Sequence, residues 1–161
     1  MSGPCVSFMR EGGSVLSEGR QDWLSWCVVR LQHPTETARA KLETFRTGFK
    51  PAVSGLNPDF VSTHWREISS KDGRILCADR AKNGLAYNPN LYKQSARARY
   101  PKSDAFFDLF DEGACCFVNW GELSNDGRSG SWSPMTCSTF DLAVGVVDAD
   151  KVGIFCIEDE D

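Results

Sequence analysis

Long hydrophobic runs are missing from this chain of 161 residues. No window of 18 apolar residues occurs, so no membrane-spanning helix can be drawn on it. Histidine is scarce: only His33 and His64 are present, and no cysteine falls in a Cys-x-x-Cys pair. A structural zinc site therefore lacks its usual ligands, and no metal or cofactor is expected. The chain also lacks a basic balance, with a formal net charge of −4, whereas a dedicated nucleic-acid domain is normally strongly basic. A basic start leading into an apolar stretch is not found at the N-terminus, and no segment repeats. The expectation is a cytoplasmic protein whose seven cysteines are reduced thiols.

What is present suits a packed domain. Hydrophobic residues make up 41% and charged residues 25%, and there are five Trp. A chain of this length buries about 68–70% of its unfolded surface, enough for a core without staples. The net charge hides an asymmetry. Residues 1–103 carry 16 basic against 9 acidic side chains, and residues 104–161 carry 2 against 13. Such a division points to interaction surfaces rather than to a fold.

Pattern reading gives an α+β chain, with N-terminal helices, one further helix, and a mostly antiparallel sheet built largely from the C-terminal half. Residues 1–19, rich in Gly and Ser, are expected to be a loose lead-in, and residues 20–161 a single domain. The run 20–32, RQDWLSWCVVRLQ, reads as a buried helix, although its WCVVRL core suits a strand equally. Residues 35–48 read as a helix with Thr35 capping and an apolar stripe of Ala38, Leu42, Phe45 and Phe49. Asp72-Gly73 reads as the turn of a β-hairpin. Residues 103–113 read as a helix capped by Ser103, and strands are expected at 114–120, 135–140, 142–147 and 152–157. The turn 148–151 joins the last two as a hairpin. In the final strand Val152, Ile154 and Cys156 oppose Gly153, Phe155 and Ile157, so both faces should be covered.

Four groups of residues carry candidate functions. The chain closes on Glu158, Asp159, Glu160 and Asp161, and with Asp104, Asp108, Asp111 and Glu112 these form a candidate acidic surface. Trp120 and Trp132 bracket a polar loop and are candidate anchors. The segment 80–102 mixes basic residues with tyrosines, and Lys93, Arg97, Arg99 and Lys102 are candidate contacts to nucleic-acid phosphates. Cys115 or Cys116 with His64 would be the thiol–imidazole pair of a Cys hydrolase. Asp148-x-Asp150 alone is too common a pattern to imply a cation.

The order Arg30, then FVSTHW, then Glu158-x-Glu160 resembles the motif order of arginine-dependent ADP-ribosyltransferases. That resemblance implies an arginine and a Ser-Thr element holding NAD and a final Glu polarising the ribose. His64 stands where the family has a second Ser, and the Glu pair closes the chain where the family has further strand.

The most economical expectation is a small acidic-faced binding or inhibitor protein that covers a basic surface of a toxin, nuclease or defence protein, in the manner of immunity and anti-defence proteins. The alternatives are nucleic-acid binding through segment 80–102, and a small enzyme of Cys-hydrolase or ADP-ribosyltransferase type. A homodimer pairing the basic half with the acidic half also fits the charge division.

Overall fold

The computed structural model describes residues 13–32, 36–85, 99–123 and 130–160. Among them, six strands form one antiparallel sheet. In chain order these are β1 (Ser14–Gln21), β2 (Leu24–Arg30), β3 (Arg66–Ile68), β4 (Cys115–Val118), β7 (Phe140–Val147) and β8 (Lys151–Asp159), arranged β1-β2-β8-β7-β4-β3. A separate two-stranded ribbon pairs β5 (Trp120–Leu123) with β6 (Gly130–Trp132). The helices are α1 (Ala38–Thr47), α2 (Ser70–Asn83) and α3 (Pro101–Phe107). The α+β class is as expected, but three of the six sheet strands come from the first half of the chain.

β8 lies between β2 and β7 and is buried from Lys151 to Glu158. Val152, Ile154 and Cys156 face a cluster with Leu42 and Phe45 of α1 and with Phe49, Phe60, Trp65 and Met135. Phe155 and Ile157 face the opposite cluster, built on Leu76 and Cys77 of α2 and Phe106 and Phe107 of α3. The expectation of a strand covered on both faces holds. Glycines at strand positions let the helices settle close: a Cβ on Gly145 would stand 2.4 Å from the Leu42 side chain of α1.

Several expectations are corrected. Residues 14–21, of which 14–19 were placed in a loose lead-in, form β1, and residues 24–30 form β2, the strand alternative rather than the helix. Their link is the two-residue turn Asp22-Trp23, in which Asp22 takes a positive φ of 54°, a conformation Asp tolerates better than most residues. β2 is apolar on both faces because helices cover both, so it shows no alternation by which to recognise it.

Asp72-Gly73 is not a hairpin turn but the first turn of α2. Ser69 caps that helix by accepting the Asp72 N–H at 3.0 Å. Gly73, Leu76, Cys77 and Arg80 fall on one buried stripe at helical spacing. α1 is capped by Thr37 rather than Thr35, and α3 begins at Pro101 rather than with a Ser103 cap. Of the expected strand at 135–140, residues 135–139 are irregular apart from a single bridge between Leu56 and Thr136, and Phe140 opens β7.

Gly73 is required by packing: a Cβ there would stand 2.5 Å from the Cys116 Sγ on β4. Helix propensity alone makes Gly73→Ala stabilising by about 1 kcal/mol. We expect the reverse, a net loss of about 1–3 kcal/mol from overpacking, read as a lower midpoint in denaturant unfolding. A variant more stable than wild type would show that α2 does not approach β4 this closely.

Candidate functional site

The closing carboxylates go separate ways. Glu158 is 1% exposed and turns towards the α1 face of the sheet. Its Oε2 accepts the Val53 N–H at 2.8 Å. Its Oε1 accepts the Ser54 N–H at 3.0 Å and the Ser54 and Ser138 hydroxyls at 2.8 Å each. Asp159 turns to the other face, where its Oδ2 accepts the Leu85 N–H at 2.8 Å just beyond α2. Glu160 is exposed and takes the Thr139 hydroxyl at 2.8 Å, which holds its carboxyl below the usual range. Asp161 lies outside the described residues.

Directly across the strand pair from Glu158 stands Asp141, also fully buried. It accepts the Asn119 amide at 2.6 Å and the Thr136 N–H and hydroxyl at 2.7 and 2.8 Å. Burial pushes its carboxyl up, and the Thr136 and Asn119 bonds oppose that rise. The two carboxylates hold two irregular segments that are also joined to each other, through Asn57 N–H to the Met135 carbonyl and Cys137 N–H to the Gly55 carbonyl. This duty explains why residues 135–139 do not form a strand.

Asp104, Asp108 and Asp111 are paired within the molecule. Arg74 of α2 bridges Asp104 on α3 at 3.2 Å and Asp108, which caps the end of α3, at 2.7 Å. Asp111, Asp148 and Asp150 gather at the β7–β8 turn, where the Lys151 ammonium stands 3.5, 2.9 and 3.2 Å from them. That lysine supplies the countercharge a cation would otherwise bring. Burial alone would raise the Asp148 carboxyl, but hydrogen bonds from the Asp111 backbone and from Lys151 hold it below its ordinary value. Glu112 is exposed beside Asp111.

The acids thus sit at two ends of the sheet. Seven strand steps along β8 separate Lys151 from Glu158, about 24 Å at strand rise, so the Asp111 group stands at the opposite end of β8 from Glu158–Glu160. The same distance divides the ADP-ribosyltransferase-like elements. Arg30 pairs in register with Lys151 and bridges Asp150 at 3.3 Å, at the far end of β8 from Glu158 and Glu160. An NAD site built from these residues does not assemble.

Nor does a thiolate site at Cys116. Burial pushes its thiol up to about 12, and it opens onto the α2 side of the sheet. His64 packs edge-on to Phe60 in the opposite layer, and its Nδ1 faces the Val61 N–H. Cys27 is disulfide-bonded, which corrects the reading of all seven cysteines as reduced and removes that argument for a cytoplasmic location. Cys77, Cys115, Cys116, Cys137 and Cys156 are free.

Trp120 and Trp132 face each other across the β5–β6 ribbon with ring centroids 6.1 Å apart, and the Trp120 Nε1–H donates to the Asp141 carbonyl at 2.8 Å. Trp120 lines the core and is not offered to a partner. Trp132 is half-buried and also stacks on Phe140. Lys93 and Arg97 lie outside the described residues. Arg99 is exposed, and the Lys102 ammonium stands 5.6 Å from the Trp26 ring centre.

One group of residues missed in the sequence does form an open site. The β1–β2 turn, the end of α2, Tyr100 before α3 and the end of β8 enclose a cleft of about 270 Å³. Trp23 stands on its wall and is 57% exposed, the largest exposure among the big apolar side chains described. Asp22, Tyr100, Lys82 and Asp159 share the lining. Arg80 also lines it, 2% exposed, ion-paired with the buried Asp79 and lying 5.9 Å from the Trp120 ring. The Trp23 carbonyl accepts the Glu158 N–H at 3.0 Å, which fixes the turn against β8. The available signal was Asp22-Trp23 between two strand-length runs, hidden by the apolar continuity of β2.

Comparison with protein-family models, with curated proteins and with solved structures finds no match. No helix among the described residues is long and apolar enough to cross a membrane.

The buried and exposed acids make opposite predictions. Glu158→Ala leaves two N–H groups and two hydroxyls without this acceptor and should cost about 2–4 kcal/mol. Glu160→Ala should leave the melting temperature unchanged. Equal thermal shifts in both variants would show that Glu158 is not the clamp.

Proposed function

We propose that this is a binding protein of the inhibitor type, which receives a basic side chain of a partner protein in the cleft at the β1–β2 end. The observation that carries the reading is Trp23, more than half exposed in a formed cleft whose lining also includes Tyr100, Asp22 and Asp159 beside a single exposed lysine, Lys82. Exposing an indole to water has a cost that a partner removes, and tryptophan is the residue most enriched among dominant interface contacts. An indole and a phenol flanked by carboxylates attract a lysine ammonium or an arginine guanidinium, through the ring faces and by charge. The cleft is below the usual volume of a small-molecule pocket and suits one long side chain.

This keeps a basic protein as the partner and moves the contact from a broad acidic face to one end of the sheet. Most of the acids that suggested the broad face are bound internally by Arg74, by Lys151 or by backbone N–H groups.

The test is capture of partner from nuclease-treated lysate of cells that make the protein. Wild type should retain a stoichiometric protein. Trp23→Ala should lose it by about 2 kcal/mol or more, roughly thirtyfold in affinity, and Asp22→Lys should lose it as well. Val61→Ser alters another exposed apolar residue away from the cleft and should bind as wild type does. Equal retention by all four proteins would place the contact elsewhere.

A further inference from the structure

β1 is the outer strand of the sheet, paired on one side with β2, and no described residue pairs with its other edge. We infer that this edge joins a second copy of the chain by antiparallel pairing of β1 with β1, about a two-fold axis at Gly19.

The register follows from the hairpin. The two-residue turn makes Gln21 and Leu24 the closing bonded pair, and bonded and unbonded pairs then alternate. Gly19 with Trp26 and Ser17 with Val28 are therefore bonded inward, in the observed register. Glu18 and Arg20 direct their N–H and C=O groups outward, so only these residues can form the bonded pairs of a new strand contact.

Charge selects among the possible registers. An axis at residue 18 would oppose two glutamates, and an axis at residue 20 would oppose two arginines. An axis at Gly19 sets Glu18 opposite Arg20 of the second copy, twice by symmetry. Both side chains are exposed. Opposite charges directly across a strand pair stabilise it and like charges oppose it.

Gly19 suits a crossing point for a second reason. The Trp26 indole lies over it, so that a Cβ at position 19 would stand 2.3 Å from the ring. That indole stacks on Phe155 with centroids 6.2 Å apart and is only half-buried in the single chain. Pairing at Gly19 brings the indoles of both copies together over the axis and covers them. The register shift between Val15 and Ser17 ends the straight part of the strand, so the contact spans Ser17–Gln21 and the dimer is weak and reversible. It would extend the six-stranded sheet to twelve strands.

The test is sedimentation of the purified chain over a range of concentrations, with circular dichroism to show that each variant folds. Wild type should move from the mass of one chain, 17.9 kDa, towards twice that mass. Glu18→Arg alone and Arg20→Glu alone each oppose like charges and should weaken self-association by about tenfold. Mixed together, these two variants become complementary and should form a heterodimer as strong as the wild-type dimer. A wild type that stays monomeric at millimolar concentration would overturn the proposal. So would a dimer that both single variants retain at full strength, or a mixture that fails to pair.

Discussion

The antiparallel pairing of β7 with β8, covered on both faces, is the constraint on which the rest of the molecule depends. Eight residue pairs run from Phe140 with Asp159 to Val147 with Val152. A strand in that position must be apolar on both sides, because α1 fills one face and α2 with α3 fill the other. Where the apolar pattern stops, the same two strands bring Asp141 and Glu158 side by side. Each buried carboxylate needs donors, and the chain supplies them from residues 53–54 and 136–138 and from Asn119. The connecting segments are thus held by charge-assisted hydrogen bonds rather than by apolar contact.

The cleft follows from the same arrangement. Glu158 faces one side and Asp159 the other because strand residues alternate. Asp159 then reaches the chain just beyond α2, and the Glu158 N–H holds the β1–β2 turn. These contacts place Trp23 beside a gap that neither helix fills. The opposite end of the sheet is closed by the Lys151 group, so only one end presents an exposed tryptophan.

How much of this was legible depended on whether a segment's pattern was local. The β7–β8 hairpin, the two-sided burial of β8 and the apolar stripe of α1 were read correctly, because turn chemistry and periodicity were on the page together. β2 was left open between helix and strand, since a strand covered on both faces loses its alternation and resembles a buried helix. Asp72-Gly73 misled because its glycine answers to the Cys116 sulfur on a distant strand, not to a turn. The destination of Glu158 could not be read at all: a terminal acidic run looks solvated until the sheet shows which residues alternate inward.

The central claim is that Glu158 and Asp141 fix the two irregular segments by accepting their backbone N–H groups. Native-state hydrogen exchange, resolved residue by residue, tests this most directly. The amides of Val53, Ser54 and Thr136 should be protected to nearly the extent of those in β7 and β8, although none lies in a regular element. Exchange of these three amides at the rate of an unfolded chain, with β7 and β8 still protected, would contradict the account.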